Sequence, residues 1–200
     1  MLEGLIVDLV PQHAGFAARD QAWRNSEARF WTSGGDRMLF SRADSERIRA
    51  EYRDIPPGPQ RSIFFGIQTK DRFPLGFMGL IRVSHTSRTG MLAARIGEPE
   101  YWGGGYGTDA LLLLVDYAFD WLDLRRLHLD TMSTNVRVHR QMEKVGFTLE
   151  GRQRQAAYAD GEWFDWLGYG LLRDEWPGRI AMVEKLGLRE RAAQIYGDQG

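Results

Sequence analysis

Two hundred residues, 43% hydrophobic and 26% charged, suffice for one domain with a full core and would be crowded as two. With 26 Lys and Arg against 27 Asp and Glu the formal net charge is −1, so no global field draws the chain to nucleic acid or to an anionic membrane. The lack of cysteine excludes disulfides, thiolate metal sites and a cysteine nucleophile, and neither a basic, apolar leader at Met1 to Val10 nor a run of about 18 apolar residues is present, so a cytoplasmic location is expected.

Leu5 to Val10 is an apolar run stopped by Pro11 and predicts a first strand. Gln12 to Arg29 and Asp44 to Arg53 read as helices, the second opened by Ser41 or Asp44 as its cap. Between them lie Trp31, a Gly34-Gly35 turn, Met38 and Phe40, and Asp54 to Gln60, rich in proline, reads as a loop. Arg61 to Thr69 and Leu75 to Ser84 predict an antiparallel hairpin around Lys70-Asp71-Arg72, and Arg88 to Ile96 a further strand.

After a glycine-rich loop and a helix, Arg126 to Thr134 alternates, with Leu127, Leu129 and Thr131 on one side and His128, Asp130 and Met132 on the other. Asn135 stands where it would cap a helix running to Gly146. Phe147 to Ala157 and Trp163 to Leu172 flank an Asp160-Gly161 turn as a last hairpin. Beyond Pro177-Gly178, the segment Arg179 to Tyr196 places Ile180, Val183, Leu186 and Leu188 at helical spacing, an added helix that packs on the domain and makes a homodimer possible. This order predicts an α+β fold, a mixed sheet with helices on its faces.

The stretch Ile96 to Ala118 carries the chemistry. Gly103, Gly104, Gly105 and Gly107 permit positive φ, so successive N–H groups can point into one concavity, an anion nest. From Thr108 onward Leu111, Leu114, Val115, Ala118, Phe119 and Leu122 keep helical spacing, which puts the positive end of a helix dipole beneath the nest. Such a place suits a phosphate or diphosphate, although a plain glycine loop before a core helix would look the same. A P-loop is excluded because no Lys follows the glycines, and a dinucleotide fingerprint fails because Thr108 or Ala110 stands where its third glycine belongs.

Glu98-Pro99-Glu100-Tyr101-Trp102-Gly103-Gly104-Gly105-Tyr106-Gly107-Thr108-Asp109-Ala110 resembles the acyl-CoA diphosphate loop of the GNAT superfamily of N-acetyltransferases, usually written Trp-Gly-Lys-Gly-Tyr-Gly-Thr-Glu-Ala. Asn135-Val136-Arg137 with Met142-Glu143-Lys144-Val145-Gly146-Phe147, and Tyr158-x-Asp160-Gly161-x-x-x-Asp165, match two further motifs in the right order, and the likeness runs from Ile96 through Trp176, closest to the Rim-type branch that resembles acetyltransferases of ribosomal-protein N-termini. The resemblance implies a GNAT-like, mostly antiparallel mixed sheet of about seven strands with a V-shaped splay and helices on both faces. It places the acyltransferase domain over residues 1–176 and leaves 177–200 as a helical extension.

It also implies an N-acyltransferase that moves an acetyl group from acetyl-CoA, or another acyl-CoA, to a primary amine by direct attack in a ternary complex. The acceptor is a protein N-terminus or a small amine; neither nucleic acid nor membrane is a partner. Residues implied to hold the cofactor are Ala94, Ile96, Trp102, Gly103, Gly104, Gly105, Tyr106, Gly107, Thr108, Asn135 and Met142, with an N–H near Ile96 for the thioester oxygen. Trp31, and Glu100 ahead of the loop, are candidates for the acceptor side.

The chain departs from its relatives where proton transfer is concerned. Met142 replaces a frequent Tyr acid, Val138 a frequent Ser, and Met91 a frequent Glu, so none of these can move a proton. The remaining candidates are His139 and Ser133, whose positions flank the expected thioester, followed by Asn135, Glu98 and Glu100. The losses keep a second reading open, an acyl-CoA-binding module with weak or no turnover. No metal is expected: His13, His85, His128 and His139 have no ligand spacing.

Overall fold

The structure, a computed structural model, describes residues 1–53 and 60–197, so the loop expected over Asp54 to Gln60 falls almost wholly outside the described residues. Eight strands, β1 (Leu2–Glu3), β2 (Val7–Val10), β3 (Gln60–Thr69), β4 (Pro74–Ser84), β5 (Thr89–Ile96), β6 (Arg126–Met132), β7 (Thr148–Ala159) and β8 (Glu162–Leu172), form one sheet in the order β1-β2-β3-β4-β5-β6-β8-β7. Every neighbouring pair is antiparallel except β5 and β6, which run parallel. The eighth strand is β1, a two-residue edge that sequence periodicity is too short to reveal.

The helices are α1 (Ala14–Arg24), α2 (Glu27–Thr32), α3 (Arg42–Arg53), α4 (Tyr106–Asp116), α5 (Val136–Val145), α6 (Arg179–Lys185) and α7 (Leu188–Tyr196). One helix expected over Gln12 to Arg29 is two, because the Ser26 hydroxyl accepts the Ala28 N–H (3.2 Å) and restarts the chain as a new N-cap. The tail helix is likewise two, broken at Gly187 in the left-handed conformation (φ 61°). The helix α3 starts at Arg42, two residues before the expected Asp44, on one of the two caps named: the Ser41 hydroxyl accepts the Asp44 N–H while the Asp44 carboxylate accepts the Ser41 N–H, a reciprocal capping box.

Alternate residues of β2 belong to different cores, Leu9 to a large cluster under α4 and Val10 to a small one with Phe16 and Trp23 of α1. The sheet is therefore covered on both faces. The helix α1 lies close because Phe16 sits where a side chain on Gly66 would be, and Trp23 where one on Gly97 would be. On the other face Ala110 to Val115 of α4 are all buried, including Leu112 and Leu113, which a surface helix would expose. Met182, Val183 and Leu188 of the α6–α7 hairpin share that cluster and cover α4. Asp109, 0% exposed, joins the pieces: its carboxylate accepts the Ile6 (2.7 Å) and Val7 (3.1 Å) N–H groups and pairs with Arg179 at the head of α6 (3.4 Å).

Candidate active site

The glycine loop is laid out by what its main chain does and does not bond. Trp102 N–H donates to the Pro99 carbonyl (3.0 Å), and Thr108 and Asp109 N–H both donate to Gly105 (3.0 and 2.9 Å). The N–H groups between them, Gly103 through Gly107, have no acceptor among the described residues. Gly105, φ 92°, is the N-cap of α4, so the helix starts at Tyr106, two residues before the expected Thr108, and Gly107 lies in its first turn. The unbonded amides thus stand at the positive end of a helix dipole, a donor set that fits a diphosphate.

Below the loop the sheet opens. The strands β5 and β6 are paired only at Thr89–Arg126, Gly90–Leu127 and Met91–His128; farther on β5 stays with β4 and β6 with β8. The Gly97 N–H donates to Leu75 of β4 (2.7 Å), so by alternation the Ile96 and Ala94 N–H groups point away from β4 and into the gap. The gap passes through the sheet. Leu92 and Ile96 pack with the cluster under α4, whereas Arg95 reaches the opposite face, its Nε donating to Thr32 Oγ1 of α2 (3.3 Å) and its guanidinium lying over Phe77.

A cleft of about 1170 Å³ runs along this gap. Of the residues expected at the cofactor, Ala94, Ile96, Trp102, Gly103, Gly105, Gly107, Thr108 and Asn135 line it; Gly104, Tyr106 and Met142 do not, Met142 being buried in the core. Asn135 holds the N-cap position of α5 but its side chain makes no cap, since its Nδ2 donates instead to Thr131 Oγ1 (3.1 Å). Trp31 lines the cleft at the α2 side; Glu100 does not line it.

The two residues ranked first for proton transfer lie elsewhere. His139 Nε2 is within 3.0 Å of the Met132 carbonyl and 3.1 Å of the Ser133 carbonyl, while Nδ1 is 2.9 Å from the Tyr169 hydroxyl. Two carbonyls at Nε2 fix that nitrogen as the donor and Nδ1 as acceptor of the tyrosine O–H, so the ring braces α5 to β6 and β8. The Ser133 hydroxyl accepts the Asp165 N–H (3.3 Å). Neither side chain lines the cleft. Glu98 is likewise committed, to Arg19 (2.8 Å) and to the Trp23 indole N–H (3.0 Å). Among the described residues no group of three or more acidic or His side chains could hold a metal.

Other lining residues were not legible in the sequence. The cleft carries Arg95, Arg137, Arg140, Lys144, Lys185 and Arg191 against Glu143 and Glu190. Lys185, Glu190 and Arg191 come from the α6–α7 hairpin, beyond the end of the likeness noted above, and Arg191 is fixed on the loop itself, donating from Nε to Gly104 (3.2 Å) and from Nη2 to Gly103 (3.3 Å). The Arg137 guanidinium lies 3.8 Å from the centre of the Trp102 ring and 5.5 Å from that of Trp31, and desolvation lowers its pKa against a weaker opposing pull from Glu27. The Tyr101 phenol, also in the cleft, is pushed up by burial and then by the neighbouring Tyr106. Spacing could have found none of these, because the cleft assembles them from five separate elements.

The fold and this site can be set beside known proteins. Residues 7–148 match the acetyltransferase (GNAT) domain, and the chain belongs to that family. It is 31% identical over 103 residues to "Putative ribosomal N-acetyltransferase YdaF" of Bacillus subtilis, covering 52% of this chain and 56% of that protein. It is 31% identical over 88 residues to spermidine N(1)-acetyltransferase of Escherichia coli, covering 44% and 47%. The chain thus spans about half the length of these two relatives. The fold matches spermidine N-acetyltransferase from Vibrio cholerae, solved with CoA and spermine, at a TM-score of 0.74 with 18% identity over 84% of this chain and 96% of that one. Mycobacterium smegmatis RimJ, solved with CoA-disulfide, matches at 0.72 with 23% identity over 90% and 89%. Among the described residues no helix is long and apolar enough to cross a membrane.

Proposed function

We propose that this chain is an acetyl-CoA-dependent N-acetyltransferase that acetylates a primary amine by direct attack in a ternary complex. The observation that carries the reading is the set of unbonded amides from Gly103 to Gly107 at the head of α4, set at one end of a gap through the sheet. Acetyl-CoA supplies the acetyl group as a reactive thioester. In this reading the loop amides hold its diphosphate, with Arg191 and Lys185 on one wall and Arg140 and Lys144 on the other supplying positive charge. The Ala94 and Ile96 N–H groups, facing the gap, pair with the amides of its arm and hold the carbonyl oxygen as negative charge develops there. One such donor typically removes ~3 kcal/mol of barrier.

The amine nitrogen bonds to the acetyl carbonyl carbon, the carbon–sulfur bond breaks, its electron pair leaves with sulfur, and the proton released from nitrogen ends on the thiol. An α-amine, with an ordinary pKa near ~7.8, is partly neutral at cellular pH and needs little help from a base. That suits a cleft from which His139 and Ser133 are turned away. Relatives named for spermidine and for ribosomal proteins support an amine acceptor as the class.

The test is isothermal calorimetry with acetyl-CoA, followed by thiol release from acetyl-CoA with a panel of primary amines. Micromolar binding and amine-dependent release are expected; no binding removes the reading. Binding with no turnover on any amine favours the second reading, an acyl-CoA-binding module, which has Met142, Val138 and Met91 at the positions of the usual proton-transfer groups in its favour.

A further inference from the structure

Two donors at the α2 end of the cleft have no acceptor among the described residues. The Trp31 indole nitrogen is buried and has no hydrogen-bond partner among the described residues, although Trp31 lines the cleft. Arg137, in the first turn of α5, touches the Trp31 and Trp102 rings and forms no ion pair with a carboxylate of the described residues. Arg95, 7% exposed, adds a third cationic or N–H-bearing group at the same place. Apart from Glu27, the nearby acids are engaged by other groups or sit beside basic residues. Glu98 is held by Arg19 and Trp23, and Asp36 by Arg29 (2.6 Å) and the Met38 N–H (2.8 Å). Glu143 and Glu190, which do line the cleft, share α5 and α7 with Lys144 and Arg191. Glu27, exposed at the start of α2, is the acid whose charge reaches Arg137.

A buried N–H with no acceptor is costly and is satisfied by a ligand oxygen, and a guanidinium stacked on an indole presents its edge for the two oxygens of a carboxylate. Resting on the acetyltransferase reading, we propose that the acceptor is a primary amine carrying a carboxylate a few bonds from the reacting nitrogen. The carboxylate binds Arg137 and the Trp31 N–H, and the nitrogen then faces the gap between β5 and β6. The same lining disfavours a polyamine, whose several cationic nitrogens would meet Arg137 where they need carboxylates. The bond made and the bond broken are those of the acetyl transfer described above.

The experiment compares amino acids with their carboxamides as acceptors for the full chain with saturating acetyl-CoA, with rates referred to the neutral amine, because losing the carboxylate also lowers the amine pKa. Peptides beginning with Asp or Glu, their Asn or Gln counterparts, and spermidine complete the panel. The carboxylate forms should exceed their amides in kcat/KM by about tenfold or more, the measure of a charge-assisted pair. The arm that responds, free amino acid or acidic-start peptide, identifies where the carboxylate comes from. Arg137→Ala should raise the acceptor KM and reduce the preference to about twofold, Arg137→Lys should restore part of it, and Trp31→Phe, which keeps a ring and loses the N–H, should lower it by severalfold. Calorimetry should give acetyl-CoA affinities within about twofold of the parent for all three variants, which shows that they are folded. Amides used as well as acids, spermidine used best, or a preference that survives Arg137→Ala each overturn the proposal while leaving acetyl transfer standing. If the parent chain binds no acetyl-CoA, it is the acetyltransferase reading that fails.

Discussion

The two ends of the cleft are built from different materials. At the loop end the main chain supplies the donors: five successive N–H groups from Gly103 to Gly107, with Arg191 bonded to the carbonyls of Gly103 and Gly104. At the α2 end side chains do, the Trp31 indole, Arg95 and Arg137, brought in by α2, β5 and α5. Main-chain recognition tolerates little change in conformation but almost any change in neighbouring chemistry, whereas side-chain recognition is retuned one residue at a time.

The largest effect is expected where the loop end is bent. Gly105→Val places a branched side chain at φ 92°, with Ile6 Cδ1 3.0 Å from the new Cβ. Its amide and that of Tyr106 turn away, and losing two charge-assisted bonds should weaken acetyl-CoA binding by about a hundredfold or more in calorimetry. Gly103→Ala is the control: φ is also left-handed, 79°, but nothing lies within 4 Å of its Cβ. Only the backbone penalty of about 1 kcal/mol remains, about a fivefold effect. Equal losses in the two variants would mean that the loop is read by its flexibility and not by its shape.

Between the two ends, Ala94→Trp fills the gap where β5 leaves β6. Binding of acetyl-CoA should fall by about tenfold or more because its arm no longer fits, while adenosine 3′,5′-bisphosphate, which has no arm, should bind within about twofold of the parent. A parallel loss for both ligands would place the arm outside the gap and remove the argument from alternation at Gly97. Arg191→Ala should cost about five- to tenfold in acetyl-CoA affinity, with a shallower dependence on salt, since one of the cations facing the phosphates is gone. Unchanged affinity would make the α6–α7 hairpin a lid on α4 and nothing more.

The loop end was legible in the sequence because its determinants are contiguous. Gly103 to Asp109 name both the turn and the helix that follows, and the strands on either side show their alternation. The helix start was placed two residues late because Gly107, a poor helix former, sits in the first turn, where an added Cβ would lie 3.2 Å from Ile96 Cδ1 and push that side chain aside. The α2 end was barely legible. Trp31 is a candidate for the acceptor side from the sequence, but Arg95 and Arg137 become neighbours of it only through the divergence of β5 and β6, which no local pattern encodes. The hairpin's part in the cleft was missed for a similar reason. Its spacing shows a helix that packs, while Gly187 and the reach of Arg191 decide where.

His139 gives the smallest effect and the sharpest choice between roles. If its imidazole moved the proton of the reaction, His139→Ala would lower kcat by ~10²- to 10⁴-fold and remove a limb from the pH profile. Both ring nitrogens are engaged with Tyr169 and the carbonyls of Met132 and Ser133, so the expected loss is in stability instead. A buried bonded pair contributes about 1–2 kcal/mol, a fall of about 2–5 °C in Tm for a chain of this size. The kcat should stay within about twofold, because β6 and α5 are still joined by the Asn135–Thr131 bond. For parent and variant alike, kcat/KM should rise with pH through the acceptor amine's own pKa, ~7.8 for an α-amine, because only the neutral nitrogen attacks, and then level off. A bell, or a limb that vanishes in the variant, would return His139 to the chemistry and require its ring to swing about the α5 axis into the cleft, breaking the contact with Tyr169 as it went.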